Sequence, residues 1–103
     1  MPQFGVYRNP GRNRDVPFVV QVQSTRLDRS VGRVVLPFAQ RGAGAPPDHP
    51  LTPHLTVQGR EVYANPLDMA TIPAARLGEV LETLPERVQD RIVRATDEMT
   101  SRA

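Results

Sequence analysis

The chain has 103 residues, 13 basic against 11 acidic side chains and a formal net charge of +2. It contains no cysteine, which excludes disulfides, thiolate metal sites and cysteine nucleophiles. No run approaches the ~18 apolar residues of a membrane span, and the amino terminus lacks the basic-then-apolar pattern of a signal peptide, so a cytoplasmic location is expected.

The length suits one domain and is short for two. A domain of this size buries only roughly 60–65% of its unfolded surface, so its core is modest and dimerisation would help it. Every basic residue is arginine, whose planar fork favours carboxylate and phosphate contacts. A net charge of +2 is too small to argue for nucleic-acid binding by itself.

In chain order, Gln3-Phe4-Gly5-Val6-Tyr7 reads as a first strand, followed by a turn or loop from Arg8 to Pro17. Phe18 to Gln23 is rich in β-branched residues and ends in a Val/Gln alternation, the clearest strand in the sequence. Thr25 to Gly32 is a polar connection with a lone Leu27. Arg33 to Phe38 is another strand, and Pro37 argues for its edge or its end. Arg41 to Pro53, with two glycines and four prolines, predicts an irregular and mobile loop. His54 to Gln58 and Glu61 to Ala64 form a hairpin around Gln58-Gly59-Arg60-Glu61. Leu67 to Pro73 reads as a last strand or an ordered crossing.

From Pro73 the period changes. Leu77, Val80, Leu81 and Leu84 follow three- and four-residue spacing and predict a helical face. Pro85 stops that turn or opens the next, and Val88, Ile92, Ala95 and Met99 define a carboxyl-terminal amphipathic helix. Strands followed by helix predict a β-rich α+β class.

Little here points to catalysis. His49 and His54 lack metal-ligand spacing, and no nucleophile is paired with Asp48 or either histidine. No catalytic, metal or cofactor residue is therefore expected, and a small hydrolase using His49 or His54 is only a residual reading. Arg8, Arg12 and Arg14 could touch phosphate, although a solvated turn beside Asp15 also accounts for them. Tyr7 and Phe18 read as core rather than as a base-stacking platform.

The order of segments resembles the CcdB-type toxins of bacterial toxin–antitoxin modules. Gln3-Phe4 and Val6-Tyr7 resemble that family's opening strand, and Phe18-Val19 with Val22-Gln23-Ser24 its second. Val35-Leu36-Pro37 is similar to a strand ending in an aliphatic-Pro pair. Asp68-Met69-Ala70-Thr71-Ile72-Pro73 is the most specific match, with Gly78-Glu79 following. The likeness runs from residue 3 to about residue 99 and treats residues 1–103 as a single CcdB-like domain.

The resemblance implies an SH3-like β-barrel with a small extra sheet and a carboxyl-terminal helix. It also implies a non-enzymatic homodimer whose seam includes the helix, with Val88, Ile92, Ala95 and Met99 as candidates. Family members bind the DNA gyrase A subunit and trap the enzyme on cleaved DNA. A cognate antitoxin neutralises them, and the pair represses its own operon, touching operator DNA through the antitoxin complex. Gln3, Phe4, Tyr7, Ser24 and Leu27 match positions on or beside the family's binding surface, while Arg26 replaces an aliphatic neighbour. The largest departure is at the gyrase-poisoning tail, Trp-Gly-Ile preceded by Phe, where this chain carries Thr100, Ser101, Arg102 and Ala103. Two readings follow: a toxin with an altered target contact, or a non-toxic homologue that binds antitoxin, regulates, or forms mixed dimers.

Overall fold

In the computed structural model, which describes residues 2–102, the chain enters the first strand through a sharp turn. Gly5 N donates to Pro2 O at 3.1 Å, and Phe4 sits at φ 63°, a region that bulky residues rarely occupy. A Cβ on Gly5 would lie 3.0 Å from Pro2, so the turn is this tight only because residue 5 is glycine. Strand β1 therefore begins later than predicted, at Gly5–Arg8.

Strand β2 (Phe18–Gln21) pairs antiparallel with β1 and with β3 (Gly32–Gln40). It is shorter than the predicted strand because Val22 N and Gln23 N both donate to Val34 O, a bulge that ends regular pairing. A 3₁₀ turn (Thr25–Leu27) follows, and its first residues are held by the Ser24 hydroxyl accepting from Arg26 N. Arg33, almost wholly buried, then donates to the carbonyls of Asp28, Ser30 and Gly32 and fixes the approach to β3.

Strand β3 is the long centre of the sheet, and here the expectation for Pro37 is corrected. The residue lies inside a nine-residue strand, not at its edge or end. Residues 32–35 pair with β6 (Ala70–Pro73), whereas residues 38–40 pair with β5 (Arg60–Ala64) on the same flank. Pro37 falls in the gap between these partners. Its carbonyl accepts from Asn65 N at 3.2 Å, so its nitrogen faces the same gap, where no ladder bond is required. The β3–β6 arm is the small extra sheet, branching from the main one.

Strands β4 (His54–Val57) and β5 form a hairpin whose turn is Gln58-Gly59 alone, not the four residues predicted. Both turn residues have positive φ (51° and 74°), the primed geometry that matches strand twist. Before it, the 41–53 loop is irregular as expected, and it is tied by its own hydrogen bonds, Ala45 N to Gly42 O, Thr52 N to His49 O and the Thr52 hydroxyl to Pro47 O.

The helix predicted across Leu77–Leu84 is not formed. This segment is extended, and β7 (Glu82–Thr83) pairs with β1. Leu81 N donates to Val6 O and Leu84 N to Phe4 O. Gly78 and Pro85 leave only six residues between them, too few to nucleate a stable helix, while β1 offered an open edge. The four apolar residues are spaced like a helical stripe but disperse: Leu84 enters the main core, Leu77 joins Tyr7, Val19 and Val35, and Val80 stays exposed.

The sheet runs β4-β5-β3-β2-β1-β7, with β6 on β3. It curls until the β4–β5 hairpin tip meets β7, where Gln58 donates from its backbone N and its Nε2 to Glu82 Oε1, each at 3.2 Å. The helix α1 (Glu86–Thr100) then closes over the opening. Ile92 is wholly buried in the cluster of Phe4, Val6, Val20, Leu36, Phe38 and Val62. At about 1.5–3 kcal/mol per buried large apolar side chain, this contact is what holds the helix in place.

Candidate binding surfaces

Two faces gather the candidate side chains, one along α1 and one around the proline-rich loop. On the first, Gln3 Nε2 donates to Val22 O at 3.0 Å and Phe4 N donates to Gln21 O at 2.6 Å, which pins the amino-terminal turn beside the bulge. Gln3, Phe4 and Val22 form one wall of a shallow groove of about 140 Å³, and Val93, Thr96 and Asp97 of α1 form the other. Ser24 and Leu27 lie just beyond Val22 in the chain, and Leu27 is 59% exposed.

Gln3 and Phe4 thus meet at one groove. Tyr7 does not join them. Strand alternation sends its ring to the opposite side, into the small cluster with Val19, Val35 and Leu77. Burial raises its phenol pKa above 10.0, the nearby Asp28 charge raises it further, and Arg33 works against both.

Along α1, Ile92 and Ala95 are fully buried against the chain's own sheet, and Val88 and Met99 are half-buried. The exposed apolar residue on this helix is Val93, at 44%. It lies off the 88–92–95–99 stripe, so periodicity sets it aside, and only the position of the amino-terminal turn gives it a role. Thr100 ends the helix, and Ser101 and Arg102 are exposed beyond it. Ala103 lies outside the described residues.

Around the loop, the polar groups are occupied by one another. His54 Nε2 is 2.7 Å from Pro46 O and its Nδ1 is 3.4 Å from Arg41, which assigns the proton to Nε2. Asp48 Oδ1 accepts from His54 N at 2.9 Å and from Arg91 at 3.3 Å, tying the loop to α1. The backbone bond and, to a lesser degree, Arg91 hold the Asp48 carboxyl below its ordinary value. His49 Nδ1 accepts from Leu51 N and the ring is exposed. This arrangement closes a loop, and among the described residues neither histidine has a nucleophile as hydrogen-bond partner. Among the described residues no group of three or more His, Asp or Glu side chains is placed to hold a metal ion.

A curled antiparallel sheet capped by one carboxyl-terminal helix defines an SH3-like barrel with a terminal helix. A family model described as CcdB protein matches residues 3–101, and the chain belongs to that family, whose members are toxins of toxin–antitoxin modules that poison gyrase. No curated protein matches the chain in sequence. No helix among the described residues is long and apolar enough to cross a membrane.

Proposed function

We propose that this chain is the toxin component of a type II toxin–antitoxin module, acting as a homodimer that a cognate antitoxin binds and neutralises, with its gyrase contact altered at the tail. The observation that carries the reading is the family match over residues 3–101, on a curled antiparallel sheet capped by the carboxyl-terminal helix. In this reading the antitoxin segment lies on the groove of Gln3, Phe4 and Val93. Operator DNA is repressed by the toxin–antitoxin complex.

The tail separates this protein from an efficient gyrase poison. A tryptophan anchor at an interface centre contributes about 2 kcal/mol or more, roughly thirtyfold in affinity. Ser101 and Arg102 have no comparable apolar surface to bury. That same observation favours a second reading, in which the protein binds antitoxin or a toxic relative without poisoning gyrase.

The deciding experiment is a cleavage assay with gyrase, plasmid and ATP, comparing the natural chain with the quadruple variant Thr100→Phe, Ser101→Trp, Arg102→Gly, Ala103→Ile. Cleaved DNA trapped by both proteins supports gyrase poisoning without the aromatic anchor. Trapping by the variant alone supports the second reading on an intact scaffold. Absence of trapping by either sets gyrase aside as the target.

A further inference from the structure

The loop between β1 and β2 carries a feature that the toxin reading leaves unused. Arg8, Arg12 and Arg14 from this loop, together with Arg60 at the start of β5, line one concave surface of about 420 Å³. All four are solvent-exposed, and among the described residues none is in an ion pair. Among the described residues no carboxylate lines the cleft: Asp15, the nearest in sequence, is outside it, and its backbone carbonyl accepts from Gln40 N. A chain with a formal net charge of +2 thus gathers four positive charges at one place. Like charges brought together without a counter-charge repel one another, and a polyanion seated among them relieves that repulsion.

The cleft is built rather than incidental. Asn9 Oδ1 accepts from Gly11 N at 3.0 Å and Asn9 Nδ2 donates to Val16 O at 2.9 Å. Asn13 Oδ1 accepts from Asp15 N, and Asn9 N donates to Pro17 O. Arg60 is held from two sides, its guanidinium 5.9 Å from the centre of the Phe18 ring and donating to Gln40 Oε1 at 2.8 Å. Sequence alone places three of these arginines in one turn; only the fold brings the fourth to them.

We infer that this cleft binds the phosphate backbone of duplex DNA, so that the chain contributes its own, sequence-independent contacts to nucleic acid. Guanidinium forks match phosphate oxygens, and asparagine side chains and backbone N–H groups are the usual supporting donors. An acidic protein segment needs apolar anchors to bind well, and this lining offers few: Val16, Pro17 and Phe18, the last almost wholly buried. A phosphodiester backbone needs none, because release of condensed counterions drives its binding. The inference goes beyond the toxin reading and stands without it.

The test is fluorescence anisotropy with the full-length protein and labelled duplexes of unrelated sequence, titrated across a range of salt. Each phosphate contact contributes a slope of about −0.9 to log K against log salt, so four contacts predict a loss of about 150-fold between roughly 50 and 200 mM salt. The double variant Arg12→Gln/Arg14→Gln should lose only about 12-fold over the same range, equally on every duplex. Its far-UV circular dichroism should be unchanged, since both side chains are exposed. Arg87→Gln/Arg94→Gln on α1 removes the same charge and should keep the full slope. Equal slopes for the two double variants, absence of binding at the lowest salt, or tighter binding of polyglutamate than of DNA would each overturn the assignment, the last in favour of an acidic protein segment.

Discussion

Phe4 shows how a single residue can be locally unfavourable and still required. Its left-handed backbone costs about 1–2 kcal/mol relative to an ordinary conformation. Its ring is 8% exposed within the main core, which more than offsets that cost. Phe4→Ala should therefore destabilise the protein by about 3–4 kcal/mol in urea unfolding. Phe4→Gly, although it removes one carbon more, should cost no more than Phe4→Ala, because glycine adopts the left-handed region freely. A clearly larger loss for the glycine variant would mean that the turn is not strained.

Asp48 is the other residue with a directional consequence. Its folded-state pKa lies below the ordinary 3.8 because His54 N–H, and then Arg91, favour the charged form. A depressed carboxyl pKa stabilises the folded state above the unfolded value, and that contribution disappears as pH falls through the folded value. Asp48→Asn keeps an acceptor for His54 N–H but removes the charge. Urea midpoints measured from pH 7 to pH 2 should accordingly fall less steeply below 3.8 for the variant than for the natural protein.

At the scale of elements, the hairpin and the extended 77–84 segment give opposite lessons. Gly59 sits at φ 74° with nothing within 4 Å of an added Cβ, so Gly59→Ala meets no clash and only a backbone cost. Thermal unfolding should report a loss of about 1 kcal/mol or more, whereas Gly42→Ala and Gly44→Ala, equally open but without positive φ, should be neutral or slightly stabilising. The Gln58-Gly59 dipeptide made this turn legible beforehand. The strand β7 was not legible, since its hydrogen bonds to β1 come from residues more than seventy positions away. Local periodicity suggested a helix there because Leu77, Val80, Leu81 and Leu84 happen to be spaced like one.

For the whole molecule, the balance is between a modest core and the surface left over. Val93, Leu27 and Leu67 remain exposed, at 44%, 59% and 69%, while Ile92 and Ala95 are already buried within one chain. The proposed homodimer thus rests on Val88 and Met99, the half-buried members of the stripe, more than on Ile92 and Ala95. Association that couples to folding makes the thermal midpoint depend on concentration. The midpoint of the natural protein should rise with protein concentration, and that of Met99→Asp should not, with secondary structure unchanged in both. A concentration-independent midpoint for the natural protein would remove the dimer.

The sequence by itself determined the strands β2, β3 and β4–β5, the carboxyl-terminal helix and the family, because these depend on patterns within a few residues: β-branched runs, a Gln-Gly turn, a 3.6-residue stripe. For the candidate surface it offered Gln3, Phe4, Tyr7, Ser24 and Leu27 as a set; the fold brings Gln3 and Phe4 to one groove and buries Tyr7 in a second small cluster, a division that alternation along a strand cannot reveal. Only the tertiary structure decided that Pro37 lies inside β3, that residues 77–84 pair with β1, that Val93 rather than Ile92 faces outward, and that Arg60 completes the arginine cleft. Each of these depends on which distant segment arrives alongside, and hydrogen-bond partners and burial are properties of that meeting rather than of either segment alone.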